Sequence, residues 1–315
     1  MQDSYAQKQV TMLDNIKFKV LGKDELQNHI VRTQVIDLNT SVNLFTAEES
    51  PCMLKGSFFN MQIALSCVGA YIKGSIHKLT NLLKGGKNQN YNDLTFCSAN
   101  ESISRLIDVF GLQKTSLTNL EFGLNILISK DPQQFLDYNL LMYDSEGHTK
   151  DLPFRGKGNY KEFQKTDYYI KVYNKSKQYG LKSNILRVEV KIINKRKLEK
   201  MGVFSIEDLQ NKETIKGLYL FLLGELQKLT ILDDYTGVEM PSNDRNNLNE
   251  YTNPNYWKKL IRDKSYKVRI NRKKKFEALI VKYGLDTTKK EILEGVSEKY
   301  LEMMDCLFQD NKIAA

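Results

Sequence analysis

Residues 168–192 read YYIKVYNKSKQYGLKSNILRVEVKI, two strictly alternating runs joined by a turn rich in Gly, Ser and Asn. A period of two sends successive side chains to opposite faces of a strand. In the first run Ile170 and Val172 share one face, and Tyr169, Lys171, Tyr173 and Lys175 share the other. In the second, Leu186, Val188, Val190 and Ile192 form the apolar face, with Arg187, Glu189 and Lys191 opposite. The expectation is a β-hairpin that rests one face on a core and collects a phenol, a carboxylate and several cations on the other. These are the groups phosphodiester cleavage needs: a hydroxyl nucleophile, an acid able to hold a metal, and positive charge for the phosphate.

Outward from this hairpin, Met12–Val20 (MLDNIKFKV) alternates like a first strand, preceded by eleven polar, aperiodic residues that read as a disordered leader. Met12 is a second potential start. Residues 55–79 read as β-rich and broken by glycines, and Lys84–Asn92 as an exposed Gly/Asn/Lys loop. Ser98 or Asn100 can cap a helix running to Phe110, with Gly111 as its stop. Leu117–Ser129 is strand-like, with Phe122, Leu124 and Ile126 on one face and Glu121, Gly123 and Asn125 on the other. Asp151–Thr166 reads as a polar loop around R-G-K-G, which lacks the spacing of a phosphate-binding P-loop. Ser205–Asp208 resembles a capping box. It opens a helix to about Leu229 whose core face is Leu218, Leu220, Phe221, Leu222 and Leu226. Asp233–Asn253 is the expected domain boundary, followed by helices at 255–264, 272–283 and 287–308.

At 315 residues the chain can bury one sizeable core and a small second one. No apolar run reaches the length of a membrane span, and no secretory signal is visible. Cys52, Cys67, Cys97 and Cys306 are scattered and read as reduced thiols of a cytoplasmic protein. With three histidines, a His-rich metal site is excluded by count. Charge is concentrated: residues 258–275 hold ten Lys/Arg and one Asp, a balance of +9 that equals the formal charge of the whole chain. Such a cluster is the footprint of a polyanion, or else a solvated basic helix face. Interleaved Tyr256, Trp257, Tyr266 and Phe276 favour nucleic acid, since rings pack on sugars and bases.

The order of these segments resembles the phage and plasmid rolling-circle replication initiators of the filamentous-phage gene II type, divergent members of the HUH endonuclease class. MLDNIKFKV is similar to their opening strand, YIKGSIHKL plus the Gly/Asn loop to an S-x-x-K…G-x-N segment, and NLEFGLN to an acidic strand. IKVYNKSKQ is similar to the strand bearing the nucleophilic tyrosine, and ILRVEVKI to the R-x-E strand after it. The resemblance spans about Met12–Asp233. It implies an α+β fold: a mostly antiparallel sheet with helices on one face as a catalytic domain at 12–235, and a basic helical module at 250–315.

Carried over, the resemblance implies Tyr173 as nucleophile, Lys175 and Lys177 as phosphate-neutralising groups, and Glu121, Glu189 and His77 as ligands of Mg²⁺ or Mn²⁺. It implies Arg187 and Asn125 as DNA contacts. Further DNA contacts fall to Lys258, Lys259, Arg262, Arg269, Arg272, Lys273, Lys274 and Lys275. The implied activity is site-specific nicking and rejoining through a 5′-phosphotyrosine, initiating rolling-circle replication in the bacterial cytoplasm. Implied partners are single-stranded or hairpin origin DNA, a host helicase and polymerase, and a second copy in a homodimer, with no membrane.

The sequence departs from the class in two respects: it has no H-x-H, and Glu121 stands where Asp is common. Taken alone, the residues also fit blander roles. Tyr173 satisfies β-propensity, Glu189 can be a cross-strand charge pair, His77 a strand histidine, and Asn125 a loop tether. A mobilisation relaxase and a non-catalytic DNA-binding protein of the same fold are the rival readings. An RNA-recognition module ranks below them, because the expected aromatic motif is missing.

Overall fold

The computed structural model describes residues 13–42, 45–47, 49–92, 94–144, 146, 150–153 and 159–307. The expected leader and the R-G-K-G segment lie outside them. In chain order the first half comprises β1 (Leu13–Val20), α1 (Lys23–Thr33), β2 (Asn39–Val42), β3 (Glu49–Phe58), β4 (Met61–Ser66) and β5 (Gly69–Ser75). Then come α2 (Ile76–Leu83), α3 (Phe96–Phe110) and β6 (Thr115–Leu127). A short α4 (Pro132–Gln134) runs through a π-helical turn into β7 (Leu140–Tyr143), followed by β8 (Lys150–Pro153), β9 (Asn159–Gln164) and β10 (Tyr168–Asn174). After these come α5 (Lys175–Tyr179), β11 (Ile185–Ile192), α6 (Lys195–Lys200), α7 (Lys212–Gln227) and β12 (Leu229–Ile231). The chain closes with α8 (Ser242–Thr252), α9 (Pro254–Asp263), α10 (Tyr266–Lys282) and α11 (Thr287–Met304).

Ten strands form one antiparallel sheet in the order β2-β3-β4-β5-β1-β6-β11-β10-β9-β8, so the fold is α+β as expected. Cross-strand register builds the core row by row: Val172, Val188 and Leu124 align, as do Ile170, Val190 and Phe122. Helices α6, α7 and α11 pack on β6 behind this face. The hairpin at 168–192 forms with the predicted faces, Tyr173 opposite Arg187 and Lys171 opposite Glu189.

Several local expectations are corrected. The strand expected to include Lys175 ends at Asn174, whose side chain accepts from the Lys177 N–H and caps α5; Gly180 stops that helix in the left-handed region. The β-rich stretch ends at Ser75, whose Oγ accepts from the Lys78 N–H and starts α2, so His77 stands on a helix rather than a strand. The polar loop expected at 151–166 instead holds most of the edge strand β8 and all of its neighbour β9. Leu220, assigned to the core face, is 52% exposed. The boundary segment contains α8. Cys97 and Cys306, expected as thiols, form a disulfide across a separation of 209 residues, and Cys67 is also disulfide-bonded.

The last helices divide between two apolar clusters. Ile292, Val296 and Met303 of α11 belong to the core behind the large sheet. Leu248, Tyr251, Trp257, Leu260, Phe276 and Ile280 of α8–α10 form a second cluster with Met142 and Leu232. Helical spacing turns Trp257 and Phe276 inward, so the expectation that they contact nucleic acid is overturned; Trp257 Nε1 donates to the Tyr251 carbonyl at 2.6 Å. Tyr266 remains 69% exposed.

Candidate metal centre and tyrosine site

The open face of β1, β6, β11 and β10 carries the site. Register places Asn125 opposite Arg187, Gly123 opposite Glu189 and Glu121 opposite Lys191. Gly123 is there because the strands close tightly: a Cβ on it would lie 2.4 Å from the Glu189 Cβ and 2.6 Å from the Val188 carbonyl oxygen. On the other side of β6, Leu13 pairs with Phe122 and Ile16 with Leu120, so two β1 residues, Asp14 and Asn15, stand against Glu121. This bulge is what brings Asp14 into the cluster, a local device common beside active sites.

Asp14, Glu121 and Glu189 are buried, and one oxygen of each lies within 4.8 Å of the others. Arg187, fully buried, holds two of them: Nε donates to Glu189 Oε2 at 3.0 Å, and Nη2 lies 3.5 Å from Asp14 Oδ2. Its Nη1 reaches Asn125 Oδ1 at 3.4 Å. Lys171 stands 3.4 Å from Glu189 Oε1 and 3.6 Å from Glu121 Oε1, and Lys191 is 2.7 Å from the same Glu121 oxygen. Burial pushes the Asp14 carboxyl up, but Arg187 and Lys175 outweigh it and hold it below the usual range. Glu189 is likewise held low, by Lys171 and Arg187 against burial. Asp14 and Glu189 are therefore held in their charged forms.

Tyr173 is 5% exposed, and its hydroxyl donates to Glu189 Oε2 at 3.2 Å. Burial first, and then the Glu189 charge, push its phenol well above the ordinary value of 10.0. Lys175 is fully buried, donates to Asn90 Oδ1 at 2.8 Å and lies 5.4 Å from the Tyr173 ring. Burial, with Arg187 nearby, lowers its ammonium to about 7. Lys177 points to solvent. His77 is fully buried beside Asp14 and Asn92, and neither ring nitrogen meets a hydrogen-bond partner among the described residues. Burial lowers it to about 3, which leaves a neutral imidazole. It borders the carboxylate group without joining it.

The sequence reading missed Asp14 and Asn90. The Gly/Asn loop is exposed at Gly85–Asn88, but Asn90 is buried in the site. Its Nδ2 donates to Asp14 Oδ2 at 2.5 Å, and its Oδ1 accepts from both Lys175 and the Tyr179 hydroxyl, the latter at 2.6 Å. Asn125 Nδ2 donates to the Tyr91 carbonyl at 3.3 Å, so its tether role is realised. A reciprocal amide pair, Asn81 with Asn92, anchors the loop.

The donor set fits a hard divalent ion. Opposite oxygens stand about 4.2 Å apart across octahedral Mg²⁺ and about 5 Å apart across Ca²⁺, and the three oxygens, all within 4.8 Å of one another, are close enough to share one such ion. All-oxygen ligation suits Mg²⁺ or Mn²⁺ better than a thiophilic metal. The basic residues of α9 and α10 lie elsewhere. Lys258, Lys259, Arg262, Arg272, Lys274 and Lys275 are exposed, Arg269 is half-buried with its guanidinium 5.4 Å from the Tyr266 ring, and Lys273 pairs with Asp144 at 2.8 Å. No helix among the described residues is long and apolar enough to cross a membrane.

No family model matches this chain, and no curated protein matches it. Among solved structures it is similar to the rolling circle replication initiator protein from Geobacillus stearothermophilus, at 10% identity and a TM-score of 0.38, over 73% of this chain and 89% of that one.

Proposed function

We propose that this chain nicks and rejoins single-stranded DNA at a defined origin through a covalent tyrosine ester, initiating rolling-circle replication of a phage or plasmid. The observation that carries this reading is the meeting of three carboxylates in one metal-sized space with the Tyr173 hydroxyl on one of them. Asp14, Glu121 and Glu189 would hold Mg²⁺ or Mn²⁺, which when bound supplies charge stabilisation at the scissile phosphate. Tyr173 Oη attacks phosphorus and the P–O3′ bond breaks, leaving a 5′-phosphate on the tyrosine. The phenol's proton ends on O3′. Lys175, titrating near 7, exchanges a proton in the physiological range, as that transfer requires. Reversal of the step rejoins the strand without another energy source.

Lys177 acts on this reading as a phosphate contact; Arg187 and Asn125, expected as DNA contacts, have no exposed surface and instead hold the carboxylates and the loop in place, and the exposed cations of α9 and α10 hold flanking duplex or hairpin. The burial of Tyr173 favours the rival, a DNA-binding protein that keeps the fold without cutting. Incubation of wild type and Tyr173→Phe with labelled single-stranded oligonucleotides in Mn²⁺ separates the two. The expected result is a protein–DNA adduct that requires metal and vanishes in the variant. Binding without an adduct in both proteins moves the rival to first place.

A further inference from the structure

Beyond Glu121 the open face of the sheet continues across β1, β5, β4 and β3. Register sorts its side chains into rows. Lys17 of β1 stands directly opposite Lys73 of β5, which stands opposite Gln62 of β4. One step further, Tyr71 stands opposite Lys19 and Ala64, and Ala64 opposite Lys55. Two cavities overlie these rows. One, of about 540 Å³, begins at Glu121 and Lys191 and runs past Lys17, Lys73 and Lys78. The other, of about 610 Å³, shares Lys17, Gln62 and Lys73 with the first and continues past Tyr71 to Lys55.

Like charges directly opposite each other destabilise a sheet. Yet among the described residues no acid forms an ion pair with Lys17, Lys55, Lys73 or Lys78. The pairing of Lys17 and Lys73 thus costs folding free energy that a polyanion would offset. Among the described residues Glu121 is the one acid lining either cavity, and it lies at the end next to the carboxylate cluster. Tyr71 offers the remaining feature: a half-buried ring with the Lys17 ammonium 4.9 Å from its centroid. Cations that follow a backbone and a ring that can stack an unpaired base are what single-stranded nucleic-acid grooves combine. The face extends four strand spacings from β6 to β3, roughly 19 Å.

We infer that this face is the track of the DNA single strand on one side of the scissile phosphate, with Lys17, Lys73, Lys78 and Lys55 on the backbone and Tyr71 under a base. The inference rests on the nicking reading for its polarity toward the carboxylates, but not for its binding chemistry.

The test is fluorescence anisotropy with a fluorescein-labelled 20-nucleotide oligodeoxythymidine in EDTA, across a salt series. Lys17→Ala/Lys73→Ala should weaken binding roughly tenfold and reduce the slope of log K against log salt by about 1.4, two single-strand phosphate contacts. Tyr71→Leu should weaken it about fivefold or more with the slope unchanged. Loss of the slope in Lys274→Ala/Lys275→Ala, with the track variants binding like wild type, overturns the inference. Adduct formation by wild type in Mn²⁺ is scored in parallel on origin-containing single strands. An adduct with track variants that bind normally refutes the track alone. Weakened track variants without any wild-type adduct refute the nicking reading and leave the track standing.

Discussion

Replacing Arg187 by Met tests whether one buried guanidinium holds the site together. The side chain has no exposed surface and neutralises Glu189 at 3.0 Å and Asp14 at 3.5 Å, both nearly as buried. Methionine fills similar space but leaves Asp14 with an amide donor, Asn90, and the ammonium of the equally buried Lys175 in place of the guanidinium. Removing one partner of a buried ion pair costs about 3–5 kcal/mol, because the remaining charge keeps its desolvation penalty. The loss should be read by urea denaturation with far-UV circular dichroism, since Trp257 lies in the other apolar cluster and would report on α8–α10. At pH 7 the midpoint should fall by about 1 M or more. The pH dependence is the sharper signature. Without Arg187, burial is the largest influence on Asp14 and raises its carboxyl. With its carboxyl raised above the unfolded value, the folded variant binds a proton at a pH where the unfolded chain is still ionised, so the deficit should shrink as pH falls from 7 to 5. A deficit under about 1 kcal/mol, or one equal at both pH values, refutes this account of the cluster.

Burial keeps His77 neutral in the fold down to about pH 3, whereas the unfolded imidazole takes a proton near 6.5. The unfolded state therefore binds more protons in that window, and stability falls with pH by about 1.4 kcal/mol per unit. His77→Gln should flatten the slope between pH 6.5 and 4.5 when unfolding is measured in EDTA; an unchanged slope assigns it elsewhere. Gly123→Ala should lose about 3 kcal/mol in the same assay, because its Cβ meets backbone rather than a movable side-chain tip. A loss below 1 kcal/mol means that β6 and β11 can separate. Under denaturing, non-reducing conditions, alkylation should spare Cys97 and Cys306, and prior reduction should expose both to the reagent. Full labelling without reduction removes the disulfide from this account.

The fold was legible where one face of a strand is buried, because a register error there would expose every apolar side chain. That constraint fixed β10, β11, β6 and β1, and with them the shared face of Glu121, Glu189 and Arg187. Two kinds of information stayed hidden. Asp14 and Asn15 break the alternation of MLDNIKFKV with two adjacent polar residues, which is the trace of a bulge; without coordinates it also reads as a frayed strand start. Asn90 left no periodic trace. Its place depends on the anchoring of the loop by Asn81 and Asn92, contacts that a Gly/Asn-rich composition does not encode. Helix α11 was legible as a helix but not as part of the main core, because amphipathic spacing identifies a buried stripe without identifying what buries it.

Charge bookkeeping links the metal centre to the groove beside it. Three acidic side chains face three basic ones, Arg187, Lys171 and Lys191, so the formal charges of the cluster balance. Glu189 and Glu121 outweigh burial at Lys171 and raise its ammonium, so it stands charged against the two carboxylates rather than shedding its proton. A divalent cation would instead have to displace ammonium groups. Arg187 has no exposed surface and three partners, whereas the side chains of Lys171 and Lys191 are 18% and 34% exposed at the rim. The two lysines are therefore the groups that can swing out, and Lys191 already lines the cavity that begins at Glu121. Metal entry would then add cations to the mouth of the groove, at the point where the proposed function places the scissile phosphate. Phosphate and metal should accordingly bind with positive coupling, each favouring the arrangement that the other needs.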